Sequence, residues 1–363
     1  MNSEFMEALA SLERDKGISK DIILDAIESA LISGYKRNFN TAQNVRVDIN
    51  RETGVIKVLA RKTVVEEVND SRLEISLDEA KTISPHYELG DIVEIEVTPK
   101  DFGRIAAQTA KQVVTQRVRE AERNVIYADY IDREEDIITG IVQRQDSRFI
   151  YVDLGRTEAL LPVSEQMPNE TYKQNDRIKA YITKVEKTTK GPQILISRTH
   201  PGLLKRLFEL EVPEIYDGIV EIKSVAREAG DRSKISVHAD DPNVDPVGAC
   251  VGPKGARVQA VVNELNGEKI DIVRWSSDPV VYVANALSPA KVLSVIVNEE
   301  EKATQVVVPD NQLSLAIGKK GQNARLAAKL TGWKIDIKSE SEARKLGLLD
   351  DNETETNDGD RQN

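Results

Sequence analysis

The sequence predicts a multidomain α+β protein: an N-terminal α+β unit, a small five-stranded β-barrel, and two tandem copies of an αββααβ unit. Three observations lead there. The hydrophobic period changes from helical to alternating near residue 44, and after Glu135 it breaks into many short strands. A Gly-x-x-Gly tetrapeptide occurs twice in matching surroundings. At 363 residues the chain also exceeds the roughly 100 to 200 residues that one core usually serves.

Residues 1–34 read as helices. Phe5, Leu9 and Leu12 recur at helical spacing, then Ile22, Ile23, Ala26, Leu31 and Ile32 follow Ser19 as an N-cap, with Gly34 expected to close the second helix. Val45, Val47 and Ile49 alternate, as do Val55, Ile56 and Val58 beyond the Glu52-Thr53-Gly54 turn, which predicts a hairpin. A strand at 92–97 leads into a helix over 104–130 carrying Ala106, Ala110, Val113, Val114, Val118, Ala121 and Val125 as one apolar stripe. Residues 1–130 are therefore expected to form the first domain, with that helix as its connector.

Five strands are expected at 137–143, 148–154, 157–161, 177–185 and 193–197, within a domain of residues 131–199. Five short strands suit an OB-type barrel, and an SH3-like barrel fits the count too. Alternation places Phe149 and Tyr151 on one face of their strand and Ile150, Val152 and Leu154 on the other. If the aliphatic face fills the barrel, two rings stand outside as platforms for stacking bases; the other reading is that a neighbouring domain covers them.

Val251-Gly252-Pro253-Lys254-Gly255 is answered 66 residues later by Ile317-Gly318-Lys319-Lys320-Gly321, and Lys269-Ile270-Asp271-Ile272 is answered 65 residues later by Lys334-Ile335-Asp336-Ile337. The first copy, residues 200–276, reads helix 201–210, strands 219–225 and 233–238, helices 246–251 and 256–265, strand 269–273. The second, residues 277–346, reads helix 289–295, strands 296–299 and 304–308, helices 311–317 and 323–330, strand 334–337. Without a Cβ at Gly252, Gly255, Gly318 and Gly321, a phosphodiester can approach the start of the following helix, where free N–H groups and the positive dipole end face its oxygens. Lys254, Lys319 and Lys320 add point charge, with Arg257 and Arg325 in the following helices, while Pro253 removes one donor from the first loop. Residues 311–330 contain Lys319, Lys320, Arg325 and Lys329 and no acidic residue, a basic island in a chain of net charge −11.

The duplicated loop, helix and Lys-Ile-Asp-Ile strand resemble the KH domain in its type II order of elements, whose loop clamps about four nucleotides. Glu158-Ala159-Leu160-Leu161-Pro162-Val163-Ser164-Glu165 resembles a strand of the S1 domain and its exit. The order of an α+β unit, an S1-like barrel and two KH modules over residues 1–346 resembles the NusA family of bacterial transcription factors. That resemblance implies an RNA-binding elongation factor whose N-terminal domain joins the RNA polymerase core. It also implies S1 and KH modules that contact nascent single-stranded RNA, effects on pausing, intrinsic termination and antitermination, and other antitermination factors as further partners. KH and S1 modules also occur in ribosome- or mRNA-associated translation factors and, in the opposite order, in polynucleotide phosphorylase.

No catalytic constellation emerges, so no enzyme and no cofactor is expected. Gly318-Lys319 is followed by Lys320 where a P-loop needs Ser or Thr, and His86, His200 and His238 have no metal-ligand spacing. Cys250, the single cysteine, sits in an apolar segment and reads as a buried small hydrophobe. Neither a secretory signal nor a membrane span is visible, and a cytoplasmic protein is expected. Residues 347–363, rich in Asp and Glu, read as a disordered acidic tail.

Overall fold

The computed structural model describes residues 3–39 and 44–348, so all but the first two residues of the expected acidic tail lie outside it. The chain divides into two compact units, residues 1–128 and 129–363.

In the first unit, helices α1 (Ser3–Lys16) and α2 (Lys20–Phe39) precede strands β1 (Val45–Ile49), β2 (Ile56–Val65) and β3 (Glu74–Ser76), helix α3 (Leu77–Ile83), strand β4 (Ile92–Glu96) and helix α4 (Phe102–Ile131). β2 is the hub: it pairs antiparallel with β1 and β4 and parallel with β3. Leu24, Ile27, Leu31 and Tyr35 of α2 bury one helical stripe against Val45, Val47 and Ile49 of β1 and against Phe102, Ala106 and Ala110 of α4. Gly34 does not end α2, contrary to the expectation. Tyr35 continues the buried stripe a turn beyond Leu31, and a Cβ on Gly34 would lie 4.0 Å from Ile105 Cγ2, so the small residue serves helix packing rather than a cap. A second, smaller core of Val64, Ile75, Ala80 and Val93 lies under α3, which Ser76 caps through the Glu79 N–H.

The second unit opens with the barrel: β5 (Ile137–Gln145), β6 (Phe149–Asp153), β7 (Glu158–Pro162), β8 (Arg177–Thr188) and β9 (Gly191–Ser197), closed in the order β5-β6-β7-β9-β8. Only β7 and β9 run parallel. Ile150, Val152, Ala159, Leu161, Ile182, Ile194 and Ile196 are buried within it.

The first αββααβ copy follows as α5 (Pro201–Glu211), a short α6 (Pro213–Tyr216), β10 (Glu221–Glu228), β11 (Arg232–His238), α7 (Pro246–Val251), α8 (Ala256–Glu264) and β12 (Lys269–Arg274). The second is α9 (Pro279–Ala286), β13 (Ser294–Asn298), β14 (Ala303–Val308), α10 (Leu313–Ile317), α11 (Gln322–Thr331) and β15 (Lys334–Ser339), then α12 (Glu340–Lys345). Each sheet has the same build, an antiparallel hairpin whose second strand also pairs parallel with the last strand.

The first helix of the second copy corrects the expectation of a helix over 289–295. Asp278 accepts from the Val280 N–H at 2.9 Å and Pro279 takes the first helical position, so the helix starts ten residues earlier, and Ser294 and Val295 are strand. Only residues 275–278 then separate the two copies. Ala226 and Val273 of the first copy share a core with Tyr282, Val283, Leu326 and Leu330 of the second. Tyr282 Oη lies 2.8 Å from Ser236 Oγ, and the buried Lys234 donates to Asp271 Oδ2 and to the Ser288 carbonyl, both at 2.9 Å.

Barrel and first copy are joined as firmly. Met167 and Tyr181 belong to one core with Leu203, Leu204, Leu207 and Phe208. Arg198, 3% exposed, donates to Glu170, to Glu264 Oε1 at 3.2 Å, and to the Lys179 and Glu264 carbonyls at 2.8 and 2.9 Å.

Candidate nucleic-acid interface

Both Gly-x-x-Gly loops link a short helix to a longer one and take one conformation. Gly252 and Gly318 have φ/ψ of 71/175° and 77/172°, Lys254 and Lys320 53/27° and 54/29°, Gly255 and Gly321 77/14° and 72/17°. A lysine at positive φ is strained by about 1 kcal/mol or more, and here that happens twice at the same point. The loop is pinned from within: the Gly318 N–H bonds the Ser314 carbonyl and the Gly321 N–H bonds the Gly318 carbonyl, as Gly252 and Gly255 do with Gly248 and Gly252. The amides of Lys319, Lys320 and Lys254 lie in the turn that opens α11 or α8, where backbone N–H groups and the positive end of the helix can meet an anion. Pro253 offers no N–H, so the first loop has one backbone amide fewer at this place than the second, where Lys319 stands.

The two glycines of each pair have different jobs. A Cβ on Gly252 would stand 2.7 Å from Arg257 Cγ, and one on Gly318 would stand 2.8 Å from both Cβ and N of Asn323. These first glycines are required by packing inside the loop. At Gly255 a Cβ would meet nothing within 4 Å, and at Gly321 only Arg325 Nη1 at 3.9 Å, so the second glycines border open space. The room for a phosphodiester that the sequence suggests at all four positions exists at Gly255 and Gly321.

Pro253, Lys254, Lys319 and Lys320 are exposed at the loop tips. The two arginines are not free charges. Arg257 donates to Glu214 Oε2 at 2.8 Å and to the Ala249 carbonyl at 2.7 Å while its stem covers Gly252. In the second copy that place belongs to Asn323, whose Nδ2 holds the Leu287 and Ala316 carbonyls at 3.0 Å each. Arg325 lies two residues further on and ion-pairs with Glu228 at 2.7 Å. Asn323 and Glu228 were missed from sequence. Asn323 could have been found, because it stands five residues after Gly318 as Arg257 stands five after Gly252.

Beside each loop the last strand offers alternating Ile270 and Ile272, or Ile335 and Ile337, half-buried along the sheet edge. Such an edge supplies apolar contact for bases whose phosphates sit at the loop. On the barrel, Ile150 and Val152 fill the interior while Phe149 and Tyr151 lie half-exposed on the outer face, with ring centroids 6.4 Å apart. The Arg144 guanidinium stacks 3.4 Å from the Tyr151 ring centroid and bonds Glu158 at 3.0 Å, and Tyr151 Oη donates to Asp146 at 2.8 Å. Aromatic faces interleaved with arginines suit a single-stranded ligand.

Cys250 is buried beneath the first loop, and burial pushes its thiol up to about 12, far from thiolate chemistry. Among the described residues no cluster of three His, Cys, Asp or Glu side chains could hold a metal ion, and no helix is long and apolar enough to cross a membrane.

Family models match the chain in series: the NusA N-terminal domain over residues 4–124, the S1 RNA binding domain over 131–197, the NusA-like first KH domain over 198–275 and the NusA-like second KH domain over 279–345. A transcription termination/antitermination protein NusA from Halalkalibacterium halodurans is 83% identical, across 97% of this chain and 92% of its own length. That of Bacillus subtilis is 79% identical over 96% and 94%, and that of Thermus thermophilus 47% identical over 92% and 89%. An α+β N-terminal unit, an S1 barrel and two KH domains with matching loops, together with these identities along nearly the whole length, show that the chain belongs to the NusA family.

Proposed function

We propose that the protein is a transcription elongation factor that binds RNA polymerase and the nascent single-stranded RNA, and that it acts on pausing, intrinsic termination and antitermination. The relatives carry transcription termination and antitermination in their names. In this reading residues 1–130 dock on the polymerase core, the barrel of residues 131–199 stacks bases on Phe149 and Tyr151, and residues 200–276 and 277–346 clamp the RNA backbone. Gly252, Pro253, Lys254, Gly255 and Arg257 form the first clamp, Gly318, Lys319, Lys320, Gly321 and Arg325 the second. Within each clamp the lysines supply charge and the start of the following helix directs it. Arg257 shapes its loop from inside, whereas Arg325 borders the open side of its own.

The observation that carries this reading is the repeated loop conformation, with an exposed lysine at positive φ, Lys254 or Lys320, at the same point in both copies. Replacing Lys319 and Lys320 by Asp leaves the fold intact, because both side chains are exposed and Asp tolerates a left-handed backbone. Affinity for single-stranded RNA should fall, and the log-log dependence on salt should become shallower by about 0.7 per lost phosphate contact. Unchanged affinity and slope in a fluorescence titration would remove the second loop from the RNA path.

A further inference from the structure

The two KH domains meet at a cleft of about 430 Å³ beside the second loop. Lys319, Lys320, Gln322 and Arg325 line it from the second domain; Glu228 at the end of β10, Asp231 in the turn that follows, and the cations Arg232 and Lys269 line it from the first. Two carboxylates at the mouth of a phosphate-binding loop oppose an anionic ligand. Their bonds show what they do instead. Arg325 Nε and Nη2 reach the two Glu228 oxygens at 2.7 and 3.3 Å, and Gln322 Nε2 reaches Glu228 Oε2 at 2.9 Å and Asp231 Oδ2 at 2.7 Å. A guanidinium held by both oxygens of a carboxylate is held as it would be by a phosphodiester.

Arg325 differs in this from Arg257. Arg257 is wedged over Gly252 and tied within its own domain, so releasing it would dismantle the loop. The Arg325 side chain is 47% exposed, its Nη1 borders the open side of Gly321 and donates to the Lys320 carbonyl at 3.1 Å, and its carboxylate partner comes from the neighbouring domain through Nε and Nη2. It can exchange one anion for another without disturbing a core.

We propose that Glu228 sets the RNA affinity of the second KH domain by holding Arg325 as an internal substitute for phosphate, which an RNA phosphodiester must displace to gain that guanidinium. The inference rests on the RNA-binding reading above. It makes the first domain a direct determinant of what the second binds, through charge as well as through linkage on one strand. Because the Arg325 hydrogen bond holds the Glu228 carboxyl below its usual range, the competing charge is fully present at neutral pH.

The test uses the full chain and a single-stranded RNA oligonucleotide long enough to cross both loops, titrated at several salt concentrations. Glu228→Gln keeps the size of the side chain and an oxygen that accepts from Gln322 and Arg325, so the domain contact persists while the charge is gone. Its affinity should rise by about two- to five-fold, the range set by the modest strength of a part-exposed ion pair. Its salt dependence should steepen by about 0.7 in log-log slope as one more phosphate is neutralised. In the Glu228→Gln, Arg325→Gln double variant the gain should vanish. An unchanged or lower affinity for Glu228→Gln, or a gain that survives loss of Arg325, overturns the proposal. Lys319→Asp/Lys320→Asp in the same titration separates the two failures. If it weakens binding while Glu228→Gln does not strengthen it, only the Glu228 proposal falls; if it binds RNA as the unmodified chain does, the loop reading falls and the proposal with it.

Discussion

Gly318 and Gly321 look equivalent in the sequence and face opposite constraints in the fold. Gly318 combines φ 77° and ψ 172°, a region open almost only to glycine, with a Cβ position 2.8 Å from the backbone N of Asn323. Gly321 has φ 72° and ψ 17°, the ordinary left-handed region, and open space around it. Gly318→Ala should therefore cost about 3 kcal/mol or more of stability and Gly321→Ala about 1 kcal/mol. The order should reverse for function, with Gly321→Ala placing a methyl where the phosphodiester approaches and Gly318→Ala acting on RNA only through the fold. Chemical denaturation and RNA titration of both variants check this; equal destabilisation by the two would contradict the division of roles. Sequence spacing identifies the glycines, but it does not show which side of each is filled, because Arg257 and Asn323 arrive there by the path of a helix.

At the scale of elements, the segment joining the barrel to the first KH domain depends on Arg198. This guanidinium follows directly on β9 and ties Glu170 and the β8 backbone to the end of α8. Glu170 is 10% exposed at its side chain and would be left unpaired by Arg198→Ala, so that variant should lose about 3 to 5 kcal/mol. Replacing Arg198 and Glu170 together by Met removes both charges and should recover most of the loss. Urea unfolding of the single and double variants measures both effects, and a double variant no more stable than the single one would mean that lost packing dominates. Element identity was largely legible from periodicity: all five barrel strands, both loop-flanking helix pairs and the last strand of each copy stand where alternation and helical stripes put them. The failures have local causes. The helix expected at 289–295 lies at Pro279–Ala286, where Asp278-Pro279 carries the capping signal that the spacing of the repeat alone does not show. Strand β3 and helices α3, α6 and α12 are short and lie outside the repeat that located the equally short α7 and α10.

For the whole molecule, the net charge of −11 means that RNA binding depends on where the cations lie. The first unit has its own cores and lacks both the Gly-x-x-Gly loop and the aromatic barrel strand, which favours a protein as its partner. Removing residues 1–128 should abolish binding to core RNA polymerase while leaving RNA affinity within about two-fold, since no proposed phosphate contact is lost. Pull-down with purified polymerase, and with ribosomal subunits for comparison, checks this. Full polymerase binding by the shortened chain would move the docking role elsewhere, and capture of ribosomal subunits alone would favour a translation factor.

The sequence by itself determined the series of modules and the two loops, because hydrophobic period, turn residues and a repeat at a fixed offset are local properties of a chain. Alternation by itself put Phe149 and Tyr151 on the face opposite Ile150 and Val152, and the structure decided that the aliphatic face fills the barrel and the rings stand half-exposed outside it. Only the tertiary structure decided which charges remain available. Glu214 is 43 residues from Arg257 and Glu228 is 97 from Arg325, so the pairing of each arginine depends on elements brought together by packing. A carboxylate at that distance carries no local signal, yet within 3 Å it decides whether a guanidinium is free to meet a phosphate.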